Sequence, residues 1–104
     1  MQRSIEIFDP SMCCSSGLCG PTIDPTLMEV SETVTRLRKE HPDLTIDRHM
    51  FGRAFEPFTR TSVVMDLIKE RGLGVLPITV LDGRTVVAAG RYPSYDELKQ
   101  ALKR

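Results

Sequence analysis

The stretch LPITVLDGRTVVAA, residues 76–89, decides the fold that we predict for this chain. Two apolar runs flank the dipeptide Asp82-Gly83, and an Asp-Gly pair between such runs is the strongest short-range signal for an antiparallel hairpin. Pro77 stands at the opening of the first run, where a strand tolerates proline and where a cis peptide bond is permitted. The sequence therefore predicts two antiparallel strands joined by a tight turn.

A strand and a helix are predicted in the first 40 residues. SIEIFD, residues 4–9, alternates as a short strand does, and Pro10 ends it. Asp24 and Pro25 match a helix N-cap followed by proline at the first helical position. From there an apolar stripe at three- and four-residue steps predicts a helix to about residue 40, with inward positions Leu27, Val30, Val34 and Leu37.

The middle of the chain predicts a second strand and a second helix. LTIDRHMF, residues 44–51, has the alternation of a strand. A helix is expected over residues 57–71, with Thr59 or Thr61 as its cap and Gly72 ending it in a left-handed conformation. After the hairpin, Ser94 and Glu97 form a capping-box pattern. A last amphipathic helix should follow in YDELKQALKR.

The predicted element order is β-α-β-α-β-β-α. Two crossover units followed by a hairpin and a helix make a four-stranded mixed sheet with helices on both faces, which is the thioredoxin-like α/β arrangement. In such folds the functional loop joins the first strand to the first helix, and a cis-proline, here at Leu76-Pro77, lies beside it. A chain of 104 residues has room for one core, so we expect a single domain over residues 1–104.

Composition limits the classes of function. Fourteen basic and fourteen acidic side chains cancel, so overall charge does not favour nucleic acid or anionic lipid. The N-terminal MQRSIEIFD lacks an apolar signal core, and no run approaches the roughly 20 apolar residues that span a bilayer. We expect a cytoplasmic protein without membrane association, whose thiols stay mostly reduced.

All three cysteines fall within seven positions, in FDPSMCCSSGLCGP, residues 8–21. Such clustering predicts joint chemistry of Cys13, Cys14 and Cys19. No C-x-x-C is present, which weakens the interpretation as a dithiol oxidoreductase. Structural zinc usually takes four ligands, and no fourth is near, because His41 and His49 lie far along the chain and are more simply explained as ordinary surface or core histidines.

Trivalent arsenic and antimony match three thiolates better. Each carries a lone pair in place of a fourth bond, and soft sulfur ligands select soft centres. The pair Cys13 and Cys14 extends from one short segment, while Gly17 lets the chain curl so that Cys19 approaches from the other side. The sequence therefore predicts a metalloid site on these three residues, with no resident cofactor and no catalytic residues.

The segment FDPSMCCSSGLCG resembles the signature of the ArsD family, and the resemblance continues through VLPITVLDGRTVVAAGRYPSYDEL. It implies a thioredoxin-like homodimer that binds arsenite or antimonite through Cys13, Cys14 and Cys19 and delivers it to the efflux ATPase ArsA. It further implies a weak, metalloid-responsive repressor that binds operator DNA of the ars operon. Glutathione is an expected metalloid donor.

Three functions stay open at this point: a metalloid carrier, a DNA-binding repressor and a thiol oxidoreductase. A metalloid carrier is favoured by the cysteines, whereas the repressor role depends on the resemblance, because no helix-turn-helix, basic arm or zinc finger is visible. A glutaredoxin-like thiol oxidoreductase shares the fold but has a different cysteine spacing.

Several aromatic and basic residues could contact a partner, but each also has a structural explanation. Phe51, Phe55 and Phe58 could form a docking surface, but aromatic residues at this spacing near a helix start are more often core or lid residues. Arg91 and Tyr92 stand at a strand end, where either a structural or a docking role fits. Six basic residues are expected on solvated helix faces: Arg36, Arg38, Lys39, Arg60, Lys69 and Arg71.

Overall fold

The computed structural model of the chain describes residues 3–10, 25–52 and 55–103. The elements, in chain order, are β1 (Ser4–Asp9), α1 (Pro25–Glu40), β2 (Thr45–Met50), α2 (Glu56–Arg60), α3 (Ser62–Arg71), a 3-10 turn (Leu73–Val75), β3 (Ile78–Leu81), β4 (Thr85–Ala89) and α4 (Tyr95–Leu102). The predicted first strand and the extent of the first helix are confirmed, and β2 is one residue shorter at each end than predicted. Within the described ranges, no helix is long and apolar enough to cross a bilayer.

The strands form one mixed sheet in the order β2-β1-β3-β4. β1 and β2 run parallel, with Ile5 opposite Ile46, while β3 is antiparallel to both β1 and β4. This is the predicted four-stranded thioredoxin-like sheet. Its consequence for function is geometric: the carboxyl ends of β1 and β2, the start of β3 and the end of β4 all meet at one edge of the sheet.

Each face of the sheet has its own apolar cluster. Ile5 and Ile7 of β1 pack on one face against α1 and α4, in a cluster that also holds Val34, Leu37 and Leu98. On the opposite face, Phe8, Ile78 and Val80 pack with Phe58 and Val64 of the helices α2 and α3. Alternate strand residues thus supply two cores, as the period of two predicts. The expected helices on both faces are confirmed.

The hairpin and the cis bond are both present as predicted. Asp82 and Gly83 have φ values of 55° and 76°, the positive values that the tight primed turn of a two-residue hairpin requires. The Leu76-Pro77 peptide bond is cis. The strand itself begins at Ile78, two residues later than predicted. The capping box of α4 is confirmed as well, with the Ser94 hydroxyl accepting from the Glu97 amide.

The single helix predicted over residues 57–71 is wrong, because Thr61 divides it. Thr61 is extended, with φ −96° and ψ 95°, and its carbonyl accepts from the amides of Val64 and Met65, which starts a new helix. The break has a packing reason. Phe58 and Val64 are six residues apart and would lie about 120° apart around one continuous helix, whereas both are buried in the same cluster. Thr61 occupies the N-cap position without a side-chain cap bond.

The end of α3 also differs from the prediction. Gly72 has φ 79° but ψ −179°, a region accessible essentially to glycine, and not the left-handed helical conformation that we expected. Its amide still donates to the carbonyl of Ile68 at 2.7 Å, so the glycine caps the helix by a different geometry. The predicted N-cap Asp24 of α1 lies outside the described residues, as does the side chain of Leu27.

Candidate functional site

The predicted ligands Cys13, Cys14 and Cys19 lie outside the described residues, in the segment 11–24, which we call the cysteine segment. The structure describes both of its attachment points. The segment follows Asp9 and Pro10 at the end of β1 and precedes Pro25, where α1 begins. In residues 3–10, 25–52 and 55–103, no three His, Cys, Asp or Glu side chains form a group that could hold a metal ion. Metalloid binding by the cysteines therefore stays a prediction.

The edge of the sheet at which β1 ends is built from four chain segments. Asp9 pairs with Met50, the last residue of the parallel strand β2. Pro77 of the cis bond directly precedes β3, and its carbonyl accepts from the amide of Gly90 at 2.9 Å, which joins the start of β3 to the end of β4. The connection from β4 to α4 then brings Tyr92 to the same edge. The cysteine segment is thus attached where four segments converge.

A cluster of polar side chains that is largely buried lies at this edge. Both carboxylate oxygens of Asp9 accept from Arg48 of β2: Nε donates to Oδ2 at 3.0 Å and Nη2 to Oδ1 at 2.9 Å. The Tyr92 hydroxyl donates to Oδ1 at 2.5 Å. We call these three residues the Asp9 network. Two parallel bonds from a guanidinium to a carboxylate determine orientation as well as distance.

Burial makes this network electrostatically strong. The Asp9 side chain is 1% exposed and that of Arg48 16%, so water screens their attraction weakly. Burial raises the pKa of Tyr92, and the hydrogen bond to Asp9 raises it further, so the phenol stays protonated and able to donate. For Arg48, burial disfavours the charge, but the hydrogen bond and the charge of Asp9 outweigh it and raise the pKa of the guanidinium.

A second polar group lies on the opposite face of the sheet. Nε2 of His49 is 2.8 Å from Oε2 of Glu6, and Nη2 of Arg60 is 3.5 Å from the same oxygen. The imidazole also lies against the Phe8 ring, with centroids 5.2 Å apart. His49 is therefore a core histidine with a carboxylate partner, and His41 is exposed on the surface. Both agree with the structural interpretation of the histidines.

The three phenylalanines Phe58, Phe51 and Phe55 are in contact with one another in a row that runs from the core to the surface. Phe58 is buried, Phe51 is partly buried, and Phe55 is 58% exposed. The Phe51 ring meets both others edge to face, with centroids 5.5 Å from Phe58 and 5.6 Å from Phe55. The core interpretation is confirmed for Phe58, whereas Phe55 lies largely in solvent.

The remaining groups that the sequence singled out are mostly at the surface. All six basic residues of the helices are exposed, as predicted: Arg36, Arg38, Lys39, Arg60, Lys69 and Arg71. Arg91 is exposed and makes two hydrogen bonds to Glu97, at 2.8 and 2.7 Å. Tyr92, which had two open explanations, has a structural role through Asp9.

Sequence reasoning missed the Asp9 network, although a signal was present. Asp9 continues the inward positions Ile5 and Ile7 of β1, and Arg48 lies between the inward Ile46 and Met50 of β2. A charge of each sign at an inward position of two strands indicates a buried pair. The third member, Tyr92, has no such local signal, because it approaches from 83 positions away.

Comparison with known proteins identifies the family. The family model described as "Arsenical resistance operon protein ArsD" matches residues 1–104. An ArsD relative from Halobacterium salinarum is 39% identical over 99 residues, covering 95% of this chain and 90% of the relative. An Escherichia coli protein named arsenical resistance operon trans-acting repressor ArsD is 36% identical over 96 residues, covering 92% of this chain and 78% of that protein.

A solved structure agrees in fold. The crystal structure of an arsenical resistance operon trans-acting repressor from Bacteroides vulgatus ATCC 8482 superposes with a TM-score of 0.82 at 32% sequence identity, over 96% of this chain and 92% of the other. The fold, the match over the whole chain and the identities of the relatives agree with one another. This chain belongs to the ArsD family.

Proposed function

We propose that this protein is a metallochaperone for trivalent arsenic or antimony, a binding protein and not an enzyme. The observation that carries the proposal is the spacing of Cys13, Cys14 and Cys19, which puts every thiol of the chain within seven positions. Membership of an arsenical-resistance family supports the choice of ion. Three sulfurs complete the pyramidal shell of such an ion, in agreement with the preference of soft centres for soft ligands.

Binding proceeds by ligand exchange. Each thiol that bonds to arsenic displaces one hydroxyl group of arsenous acid, and the thiol proton leaves with that hydroxyl as water. If glutathione is the donor, each protein thiol would displace one glutathione sulfur from arsenic, and the thiol proton would leave with it as free glutathione. No oxidant or reductant is needed, because the ion stays trivalent throughout.

Delivery to an ArsA-type ATPase follows from the same chemistry. An incoming thiolate of the ATPase replaces one protein thiolate at a time, so the ion passes between proteins without being free in solution. Thiol exchange is fast when the attacking sulfur is ionised and when the leaving thiol has a low pKa. The carrier therefore needs no energy source of its own.

A second function is favoured by the names of the relatives. Two Escherichia coli relatives, at 36% and 34% identity, are named trans-acting repressors of the arsenical resistance operon. We infer that this chain acts in addition as a weak repressor, binding operator DNA of the ars operon as a homodimer and releasing it when the metalloid binds. The zero net charge of the chain fits weak DNA binding, since affinity for DNA backbone rises with positive charge.

An arsenite titration with X-ray absorption tests the carrier function. We expect one arsenic per chain with three sulfur neighbours. Replacing any one cysteine by serine, for example Cys19→Ser, should weaken binding sharply and bring in an oxygen neighbour, whereas the exposed Lys69→Ser should bind as the wild type does. Oxygen neighbours in the wild-type complex, or full affinity in Cys19→Ser, would contradict the three-thiolate site.

Two further assays separate the other functions. A gel shift with the operon's promoter, with and without arsenite, tests the repressor: loss of the shifted band on adding arsenite is the expected result. A disulfide-reductase assay tests the glutaredoxin-like alternative, and we expect no turnover because the chain has no C-x-x-C. Turnover in that assay would favour the oxidoreductase instead.

A further inference from the structure

We propose that Asp9, Arg48 and Tyr92 are positioning residues for the metalloid site, because they hold the point at which the cysteine segment leaves the sheet. This inference rests on the proposed arsenic-binding function and adds residues to it that lie in the described part of the chain. Asp9 is the last residue of β1, and Cys13 follows it by four positions.

Asp9 is held through its backbone as well as its side chain. Its carbonyl accepts from the amide of Phe51 at 3.0 Å, which joins it to the end of β2. The bidentate bonds from Arg48 and the bond from Tyr92 then restrain the carboxylate from two further directions. A residue with this many restraints has little freedom to move, so the described end of β1, to which the cysteine segment is attached, is firmly held.

The buried pair of Asp9 and Arg48 is better suited to orienting the chain than to stabilising the fold. Taking a carboxylate and a guanidinium out of water is costly, and apolar residues of similar volume often stabilise a fold as well or better. What a buried bidentate pair adds is orientation. Three sulfurs that must meet one small ion need such precision, since binding sites tolerate displacements of only about 0.5 Å.

Arsenite affinity of Tyr92→Phe tests the proposal with the smallest change. The variant removes one hydroxyl and keeps the ring, over which the Arg48 guanidinium carbon lies 5.9 Å from the centroid. We expect a loss of affinity of up to about tenfold, which is reached if the full strength of a hydrogen bond to a charged group is needed to hold the site in its binding geometry. Asp9→Asn, which removes the charge, should lose more.

The number of sulfur neighbours separates positioning from stability. Destabilisation alone lowers the folded fraction but leaves three sulfurs around arsenic in the molecules that remain folded. Misplacement of the segment instead replaces one sulfur by oxygen in X-ray absorption spectra of the Tyr92→Phe complex. Measurements are made where circular dichroism shows each variant to be folded; if Asp9→Asn does not fold, Tyr92→Phe alone decides.

Arg3→Met is the matched control. Arg3, which directly precedes β1, forms an ion pair with Asp82 of the hairpin turn at 3.0 Å, so its loss also removes an Arg–Asp pair, at the opposite end of the strand. We expect its arsenite affinity and three-sulfur spectrum to equal those of the wild type. If Tyr92→Phe retains wild-type affinity and three sulfurs, or if Arg3→Met loses as much affinity, the positioning role is wrong. A wild-type chain that binds no arsenite would overturn the proposed function together with it.

Discussion

An ion pair between an arginine and an aspartate lies at each end of β1, but the two pairs differ in burial. At the carboxyl end, Arg48 meets Asp9 with side chains 16% and 1% exposed, and Tyr92 adds a third bond. At the amino end, Arg3 meets Asp82 with both side chains 31% exposed. The first pair has a bidentate geometry, whereas Arg3 uses one nitrogen for Asp82 and another for the carbonyl of Leu102.

Burial, more than the residue types, decides what each pair can do. An exposed pair is screened by water and contributes little to stability, while a buried one is costly to form and far more costly to break on one side. The carboxyl end, from which the cysteine segment leaves, therefore has the stronger restraint. The amino end, where Arg3 bonds to the hairpin, to the end of α4 and, through its carbonyl, to the amide of Thr45 in β2, has a weaker ion pair.

Breaking the buried pair should have the largest effect. Arg48→Met leaves the Asp9 carboxylate buried without its bidentate partner, and we expect a loss of about 3–5 kcal/mol in the free energy of unfolding. Urea denaturation followed by circular dichroism measures it. The double variant with Asp9→Asn should lose less than the two single losses added together, because the residues are coupled. Additive losses, or a loss as small as that of Arg3→Met, would remove the distinction between the two ends.

Breaking the half-buried pair of Arg3 and Asp82 should have a smaller effect. Arg3→Met removes the bond to Asp82 and the bond to Leu102, and we expect a loss of about 1 kcal/mol or less. The same urea titration measures it, and raising the salt concentration should reduce the wild-type advantage. A loss of several kcal/mol would show that the partly exposed end holds β1 as firmly as the buried one.

The exposed pair Arg91 and Glu97 sharpens the comparison through pH. The hydrogen bonds from Arg91, and then that from the Ser94 backbone, lower the pKa of Glu97 to about 2 from an ordinary value of 4.5. A lowered pKa means that this carboxylate stabilises the fold above pH 4.5 and that its contribution disappears as the pH falls toward 2. Because the pair is exposed, we expect the smallest effect of the three.

The pH effect is seen as a difference between two titrations. The stability of the wild type minus that of Glu97→Gln, followed by thermal unfolding from pH 6 to pH 2, should shrink as the solution becomes more acid. Arg91→Gln serves as the control, since it removes the main cause of the lowered pKa of Glu97. When both proteins carry Arg91→Gln, the stability difference that Glu97→Gln causes should depend less on pH. A difference that stays constant with pH would mean that the Arg91–Glu97 pair does not act in solution.

Much of this fold was predictable because its signals are local. The hairpin depends on Asp82-Gly83, the last helix begins at the capping box of Ser94, and β1 follows from the alternation of Ile5 and Ile7. Each of these depends on residues within a few positions of one another. Even the cis bond at Pro77 was expected, although that expectation came from the fold and not from the peptide itself.

The break between α2 and α3 was predictable only in part: Thr61 was one of the two expected caps, but the separate helix α2 before it was not expected. Residues 57–71 have the composition of one helix, and no glycine or proline marks Thr61. The division serves the packing of Phe58 and Val64 into one cluster, a requirement that the sheet imposes. Tertiary packing overrides local propensity at such places.

By itself, the sequence predicted the chemistry of the candidate site and determined the order of the elements, except for the division into α2 and α3. The three thiols, their spacing and their position between β1 and α1 are properties of neighbouring residues. Only the tertiary structure decided which side chains hold Asp9, the residue of β1 from which the cysteine segment continues. Arg48 lies 39 positions from Asp9 along the chain, and Tyr92 lies 83 positions away. A contact between residues so distant along the chain exists only when the sheet has formed, since no local pattern brings their side chains together.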